Sequence, residues 1–386
     1  MTFKTLINLS LRPSGLLTEI SIPYGSADVF FALEADELVF LKGRKRPRMD
    51  NCSWEASLEA IGPPRDIEIG IDAKLLLEDS LPNCVMGLLE SLRGGGFSVR
   101  SRILGPKGLK PLLGDETLGR LSTTNVDTMP EARRLDLIVG LFTSFVFLDS
   151  LRLIGPVAFT KGSDQLLHCL RAYAGAGEME ALSILMNSLD AYGTGFPLVI
   201  ALKEQEGAFT PHILNGEKPF LDAVSKWRTE ATLTLPTGTN CLFGSLGGQP
   251  NDLVPSLGIP YLVEIANELD LEAMAFAAIW KHSAVDIPLL LSIMSSSKEM
   301  ESRLRQGFLW ENVVLYLTNT MKTGKRVRML TSMHPLLVEK ILGWRATSSA
   351  AETIGSLRRT LNSKLKLCAI GDLTSNRPMT VLDSGK

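Results

Sequence analysis

The run Leu137 to Leu148, LIVGLFTSFVFL, has no charged residue and is fenced by Asp136 and Asp149. A helix needs about 20 apolar residues to cross a bilayer, so this stretch is too short to do so and must be covered by protein. It reads as a fully buried helix, and a chain that holds one must build a large core around it. On either side the period is helical. Arg133 and Arg134 precede the run, Arg152 closes it, Gly155-Pro156 breaks the chain, and Ser163 or Asp164 caps a second helix carrying His168, Arg171 and Tyr173. Arg152 and Arg171 therefore flank one helix-loop-helix. A helix around Leu182 to Leu189 follows, then a bend at Tyr192-Gly193-Thr194-Gly195 and a segment with Lys226, Trp227 and Arg228.

Upstream of about residue 72 the period is two: Ile7, Leu9 and Leu11; Val29 and Phe31; Leu38 and Phe40; Ile67, Ile69 and Ile71. These are short strands punctuated by Pro and Gly. Between them lies the basic run Lys42-Gly43-Arg44-Lys45-Arg46-Pro47-Arg48, which reads as an exposed hairpin tip, a nuclear-import signal or an RNA-contacting loop. Residues 232 to 260, rich in Thr, Gly, Pro and Asn, have no sustained period and mark a domain boundary. Beyond it, Leu262 to Trp280 and Phe308 to Leu317 read as long amphipathic helices. The tail from Thr347 carries Arg358, Arg359, Lys364 and Lys366 on a short helical pattern and then frays at Ser375-Asn376-Arg377-Pro378.

A length of 386 residues suits about two domains. The expected division is an N-terminal arm to residue 25, an N-terminal domain over 26–254, a C-terminal domain over 255–345 and a C-terminal arm from 346. With 45% hydrophobic and 21% charged residues the chain is apolar enough to expect contact with other copies or partners. A formal net charge of -2 excludes a surface that is basic throughout, so any nucleic-acid site would be a local groove. The five cysteines are scattered without CxxC spacing and predict neither disulfides nor zinc. No basic-then-apolar leader opens the chain, which predicts a protein that is not secreted. The four histidines, His168, His212, His282 and His334, are never at i, i+4 spacing, and no GxSxG, GxGxxG or P-loop is present. The expectation is a non-enzyme without metal or cofactor.

The stretch Lys322 to Gly343 (KTGKRVRMLTSMHPLLVEKILG) is the sharpest candidate for binding. Lys322, Lys325, Arg326 and Arg328 form a cationic loop without a carboxylate. Thr331 or Ser332 can cap a helix with Pro335 in its first turn and Gly343 past its end. Leu336, Leu337, Ile341 and Leu342 make an apolar stripe that would anchor the helix, leaving its N-terminus beside four cations as a phosphate-binding geometry. The alternative is a solvated loop ahead of an ordinary core helix.

Met329 to Gly343 resembles, without a gap, a segment of paramyxovirus nucleoproteins that runs from an aromatic through Gly-Ser-Tyr-Pro-Leu-Leu to Ala-Met-Gly. Met329 stands at the aromatic, His334 at the tyrosine, and Glu339 and Ile341 at a serine and an alanine. Leu262 to Ile265 with Ala273 to Lys281 looks like the helix that opens the same domain, and Leu137 to Tyr173 is similar to the RNA-binding helix-loop-helix of paramyxoviruses and pneumoviruses. A single arginine, Arg171, replaces a pair in that motif.

The resemblance implies a viral nucleoprotein of a mainly α fold, with two helical domains clamping a central groove, a β-containing N-terminal region and terminal arms. It implies encapsidation of single-stranded RNA regardless of sequence by Arg152, Lys161, Arg171, Lys226, Arg228, Lys322, Lys325, Arg326, Arg328, Ser332, His334 and Arg345. Its partners would be further copies in a ring or helical filament and a viral polymerase or phosphoprotein. It would reside in the virion and the host cytoplasm, with the basic run at 42–48 leaving nuclear import open. The competing expectation is a viral matrix or shell protein that does not bind RNA.

Overall fold

The computed structural model describes residues 17–24, 27–41, 54–77, 81–105, 119, 121, 135–159, 164–191, 195–205, 208–246, 258–278, 296–321, 325–361 and 363–380. The chain opens with strands β1 (Leu17–Tyr24), β2 (Ala27–Glu34) and β3 (Glu37–Leu41), then helix α1 (Glu55–Ile61). Strand β4 (Asp66–Asp72), helices α2 (Ala73–Leu77) and α3 (Leu81–Gly94), and strands β5 (Ser98–Leu104) and β6 (Leu137–Phe142) follow. Next come helices α4 (Val146–Ala158), α5 (Asp164–Gly175) and α6 (Glu178–Ala191), strands β7 (Leu198–Gln205) and β8 (Ala208–Leu214), and helix α7 (Glu217–Ala231). The second half runs β9 (Thr232–Thr234), β10 (Cys241–Ser245), α8 (Gly258–Glu268), β11 (Ala273–Ala277), α9 (Ser297–Leu304) and α10 (Trp310–Thr320). It closes with β12 (Arg326–Leu330), α11 (Pro335–Leu342), β13 (Arg345–Thr347), α12 (Ala350–Thr360), β14 (Lys366–Ile370) and β15 (Arg377–Met379).

Two sheets organise these elements. One has five strands in the order β5-β4-β6-β7-β8, parallel except for β8. The other has six parallel strands in the order β13-β12-β11-β10-β14-β3. The fold is therefore mixed α/β and not the mainly α pair of helical domains that the sequence suggested. Strands β6, β10 and β11 are buried at every position, as expected of parallel strands with both faces covered. In such strands the apolar residues lose their alternation, and a short apolar run cannot be told from a buried helix by period.

The apolar run at 137–148 shows the consequence. It is the central strand β6, a turn at Thr143 and Ser144, and the first residues of α4. Likewise the apparent helix from Leu262 ends at Glu268, and Ala273–Ala277 is a strand. The supposed cationic loop contains β12, an inner strand of the second sheet. Helix α11 does form. Its cap is the His334 ring, whose Nδ1 accepts the Leu336 N–H, instead of Thr331 or Ser332, and Gly343 ends it in the left-handed region at φ 68°. The tail read as an arm contributes α12 and β14, and β14 lies inside the second sheet between β10 and β3. The strands expected at Ile7–Leu11 and the basic run at 42–48 lie outside the described residues.

Three cores follow from the two sheets. Ile67, Ile69 and Ile71 of β4 and Val139 of β6 pack on α3 through Val85, Leu88 and Leu92. The opposite face of the first sheet, through Ile138 and Phe142, shares one continuous core with Leu242, Phe276, Met329 and Ile370 of the second sheet and the helices between them. Helix α4 sits directly on β6 there, since a Cβ on Gly140 would lie 2.4 Å from Leu153. The far face of the second sheet packs Phe243, Ala275 and Leu367 against Phe31, Leu33, Ile354 and Leu357.

Candidate functional site at the junction of the two sheets

In open parallel sheets ligands bind beyond the carboxyl ends of the strands, where the strand order reverses. In the first sheet the chain passes from β4 to β5 on one side and then to β6 on the other, so the reversal lies between β4 and β6. In the second it steps from β10 through β11, β12 and β13, then returns to β14 on the other side of β10. The two reversal points are joined. After β6, Ser144 donates its Oγ to the Leu373 carbonyl at 2.9 Å and its N–H to the Thr374 carbonyl at 2.7 Å. Leu373, just past β14, donates its N–H to the Ser245 carbonyl at the end of β10.

Two buried ionisable networks fill this junction. The first grows from Asp72 at the end of β4, whose carboxylate accepts the N–H groups of Lys74 and Leu141, each at 3.0 Å. Arg152 of α4 donates to Asp72, to Asp149 at 2.8 Å and to the Leu141 carbonyl. Asp149 also accepts the N–H and hydroxyl of Thr143 at 2.6 and 2.7 Å, and the Tyr261 hydroxyl of α8. Burial works to lower the pKa of Arg152, but Asp72 and then Asp149 more than offset this, and its pKa is raised. Its Nε is buried without a hydrogen-bond partner.

The second network centres on Arg377 of β15, which donates to Glu178 at 3.4 Å, Glu264 at 2.6 Å and Glu268 at 2.5 Å. The turn that presents it is built by Asp372, which accepts from the Thr374 N–H, the Thr374 hydroxyl and the Ser375 hydroxyl. Glu178, at the start of α6, also accepts Arg228 Nε at 2.9 Å and the Phe147 N–H, a free donor in the first turn of α4. Glu264 accepts the Tyr173 hydroxyl. Tyr261 stacks on Phe145 and Tyr173 on Phe147, each at 4.2 Å, which binds the two networks into one unit. Burial pushes the Glu264 carboxyl up to about 7; Arg377 opposes the shift, while Glu268 and Glu178 add to it.

This shift has a thermodynamic consequence. The folded pKa of Glu264 lies above its ordinary value of 4.5. Its contribution to stability is full below that ordinary value and is lost as pH rises from there through about 7, on the order of 3 to 4 kcal/mol at roughly 1.4 kcal/mol per unit. Urea unfolding at pH 5 and pH 8 should show the loss in the wild type and a flatter profile in E264Q. Equal slopes in the two proteins would contradict the assignment.

Apart from Arg326, Arg328 and Arg345, which share one face of the second sheet, the described cations expected from the sequence to bind RNA are not gathered together. Arg152 is fully buried and committed to its aspartates. Arg171 pairs with Glu301 at 2.9 Å, Lys226 lies 3.8 Å from Glu230, and Arg228 holds Glu178. Lys325 donates to the carbonyls of Asn267 and Leu269, Arg326 to that of Thr360, and Arg328 to Ser356. Ser332 precedes α11, His334 caps it, and Arg345 is exposed on the edge strand β13. Lys161 and Lys322 lie outside the described residues. Of the described members of the set, only Arg152 and Arg228 reach the junction. Asp72, Glu178, Glu264, Glu268, Tyr261 and Arg377 were not nominated, although Glu264 stands out as a lone acid within an apolar run.

No protein-family model and no curated protein matches the chain. Among solved structures, the fold is similar to the lactate racemase apoprotein from Thermoanaerobacterium thermosaccharolyticum, with a TM-score of 0.58 and 16% identity. The alignment covers 94% of this chain and 100% of that one. At this identity the likeness shows the fold alone.

It nonetheless overturns the nucleoprotein resemblance. RNA encapsidation, a nucleocapsid and a virion location lose their basis, as does the competing matrix or shell protein, and where a non-enzyme was expected the chain shares its fold with a protein named as a racemase. The segments that carried the resemblance combine a strand with a helix, strand first at 137–158 and 326–342 and helix first at 258–277, and the apolar strands read as helix. No helix among the described residues is long and apolar enough to cross a membrane.

Proposed function

We propose that this protein is an enzyme that acts on a small 2-hydroxy acid at the carbon bearing the hydroxyl. The substrate class is suggested by the neighbour named as a lactate racemase. The observation that carries the proposal is geometric: two guanidiniums, Arg228 and Arg377, converge on Glu178 where both reversal points meet, beside a carboxyl, Glu264, that retains a proton near neutrality.

The roles follow from exposure. Arg377 is buried, but the side chain of its partner Glu268 is 41% exposed and that of Arg228 is 40% exposed, so this end of the network faces solvent. A substrate carboxylate takes the place of Glu268 on Arg377, where a guanidinium fork matches it in two-point contact. Interconverting two enantiomers requires the hydrogen at the central carbon to leave from one face and return on the other. Glu264, with the Tyr173 hydroxyl on its second oxygen, takes this hydrogen as a proton when ionised, the electron pair of the broken C–H bond passing into the substrate carboxylate as an enediolate, and once protonated returns it after the planar intermediate has turned its other face. The neighbour is named as an apoprotein; among the described residues here no three His, Cys, Asp or Glu side chains converge to hold a metal ion, and no step is assigned to one.

The test is to incubate the purified protein with L-lactate or D-lactate and separate the enantiomers by chiral chromatography. Appearance of the opposite enantiomer from either side supports the proposal. Failure to convert lactate or any other short 2-hydroxy acid would remove it.

A further inference from the structure

A second cluster lies away from the junction, on the opposite face of the six-stranded sheet. Leu330 of β12 packs with Ile354 and Leu357 of α12, whereas Val327 and Met329 point into the shared core, so Arg326 and Arg328 share the α12 face with Leu330. Arg345 on the edge strand β13 is the registered cross-strand neighbour of Arg328 and shares that face. Arg328 is half-buried and donates Nε to Ser356 Oγ at 2.9 Å, and Arg326 donates to the Thr360 carbonyl at the end of α12. No carboxylate among the described residues pairs with Arg326, Arg328 or Arg345.

Like charges directly opposite on neighbouring strands are destabilising. Burial and then Arg345 and Arg326 lower the pKa of Arg328, so the half-buried guanidinium is held at a cost. Among the described residues the buried Arg152 and Arg377 are offset by aspartates and glutamates; here none is supplied. We propose that Arg326, Arg328, Arg345 and the Ser356 hydroxyl form a binding site for a phosphate dianion, free or as the terminal group of a small monoester. Guanidinium forks match tetrahedral phosphate oxygens, and the edge position of Arg345 leaves the site open to solvent. The site is independent of the junction, because it lies toward the amino ends of the strands and on the other face of the sheet.

The experiment compares wild type with R345Q, a change on an exposed edge residue that also relieves repulsion. In chloride buffer R345Q should melt at or above the wild-type temperature. In phosphate at the same pH and ionic strength the wild type should gain clearly more than the variant, so the gap between them closes or reverses. Calorimetric titration with inorganic phosphate should show binding about tenfold weaker in R345Q, as expected for one lost charge-assisted contact. Parallel titrations with glycerol phosphate separate a free-phosphate site from a monoester site. The proposal is overturned if succinate stabilises the wild type as well as phosphate does, if phosphate has no effect beyond that of chloride, or if both proteins respond alike.

Discussion

Replacing Arg152 by methionine should cost about 3–5 kcal/mol of folding stability, because it leaves the carboxylates of Asp72 and Asp149 in a dry core without a counter-charge. The effect exceeds that of losing one hydrogen bond. Asp72 and Asp149 also hold the N–H groups of Lys74, Leu141 and Thr143, so neither carboxylate can swing out to water without breaking the strand ends. R152K should recover only part of the loss, since one ammonium cannot reach both aspartates and the Leu141 carbonyl in the planar geometry of a guanidinium. Urea unfolding followed by tryptophan fluorescence measures all three proteins. A loss within about 0.5 kcal/mol for R152M would place Arg152 among ordinary surface residues and refute the network.

The second large effect belongs to Arg377. R377M removes the cation shared by Glu178, Glu264 and Glu268, and about 3–5 kcal/mol is again at stake. Here pH modulates the loss. Glu264 can take up a proton near neutrality, and Glu268 reaches solvent, so the deficit should be smaller at pH 5 than at pH 8. The direction follows because Arg377 lowers the Glu264 pKa; without it Glu264 binds its proton more tightly, and ionising it costs more. Equal deficits at the two pH values would show that Glu264 does not carry the charge assigned to it.

How far the sequence reveals this arrangement differs from element to element. Ile67, Ile69 and Ile71 alternate because Asp66 and Glu68 lie at the partly covered end of β4, and the strand is legible for that reason. Strand β6 is covered on both faces, so its alternation vanishes and it merges with α4 into one apolar run. Two negatively charged fences, Asp136 and Asp149, are visible in the sequence, but their roles are not. Asp136 accepts the Glu68 N–H beside the first sheet, while Asp149 anchors Arg152 and Tyr261. Arg377 illustrates the harder limit. Between Asn376 and Pro378 it looks like a fraying tail, and only the return of the chain past β14 carries it to glutamates more than a hundred positions away in sequence. Arg152 was visible as a cation at a helix end, yet whether it faces solvent or a core depends on the strand ends packed against it.

The proposed reaction has hydrogen leave and return to the substrate at the junction of the two sheets. The most direct test is to follow the carbon-bound hydrogen of L-lactate in deuterated water by proton NMR, with wild type and with E264Q shown to be folded by circular dichroism. The wild type should exchange this hydrogen for deuterium, with a pH limb near 7, and E264Q should lose both the exchange and the limb. Exchange that persists unchanged in a folded E264Q, or a wild type that exchanges nothing across the pH range, would contradict it.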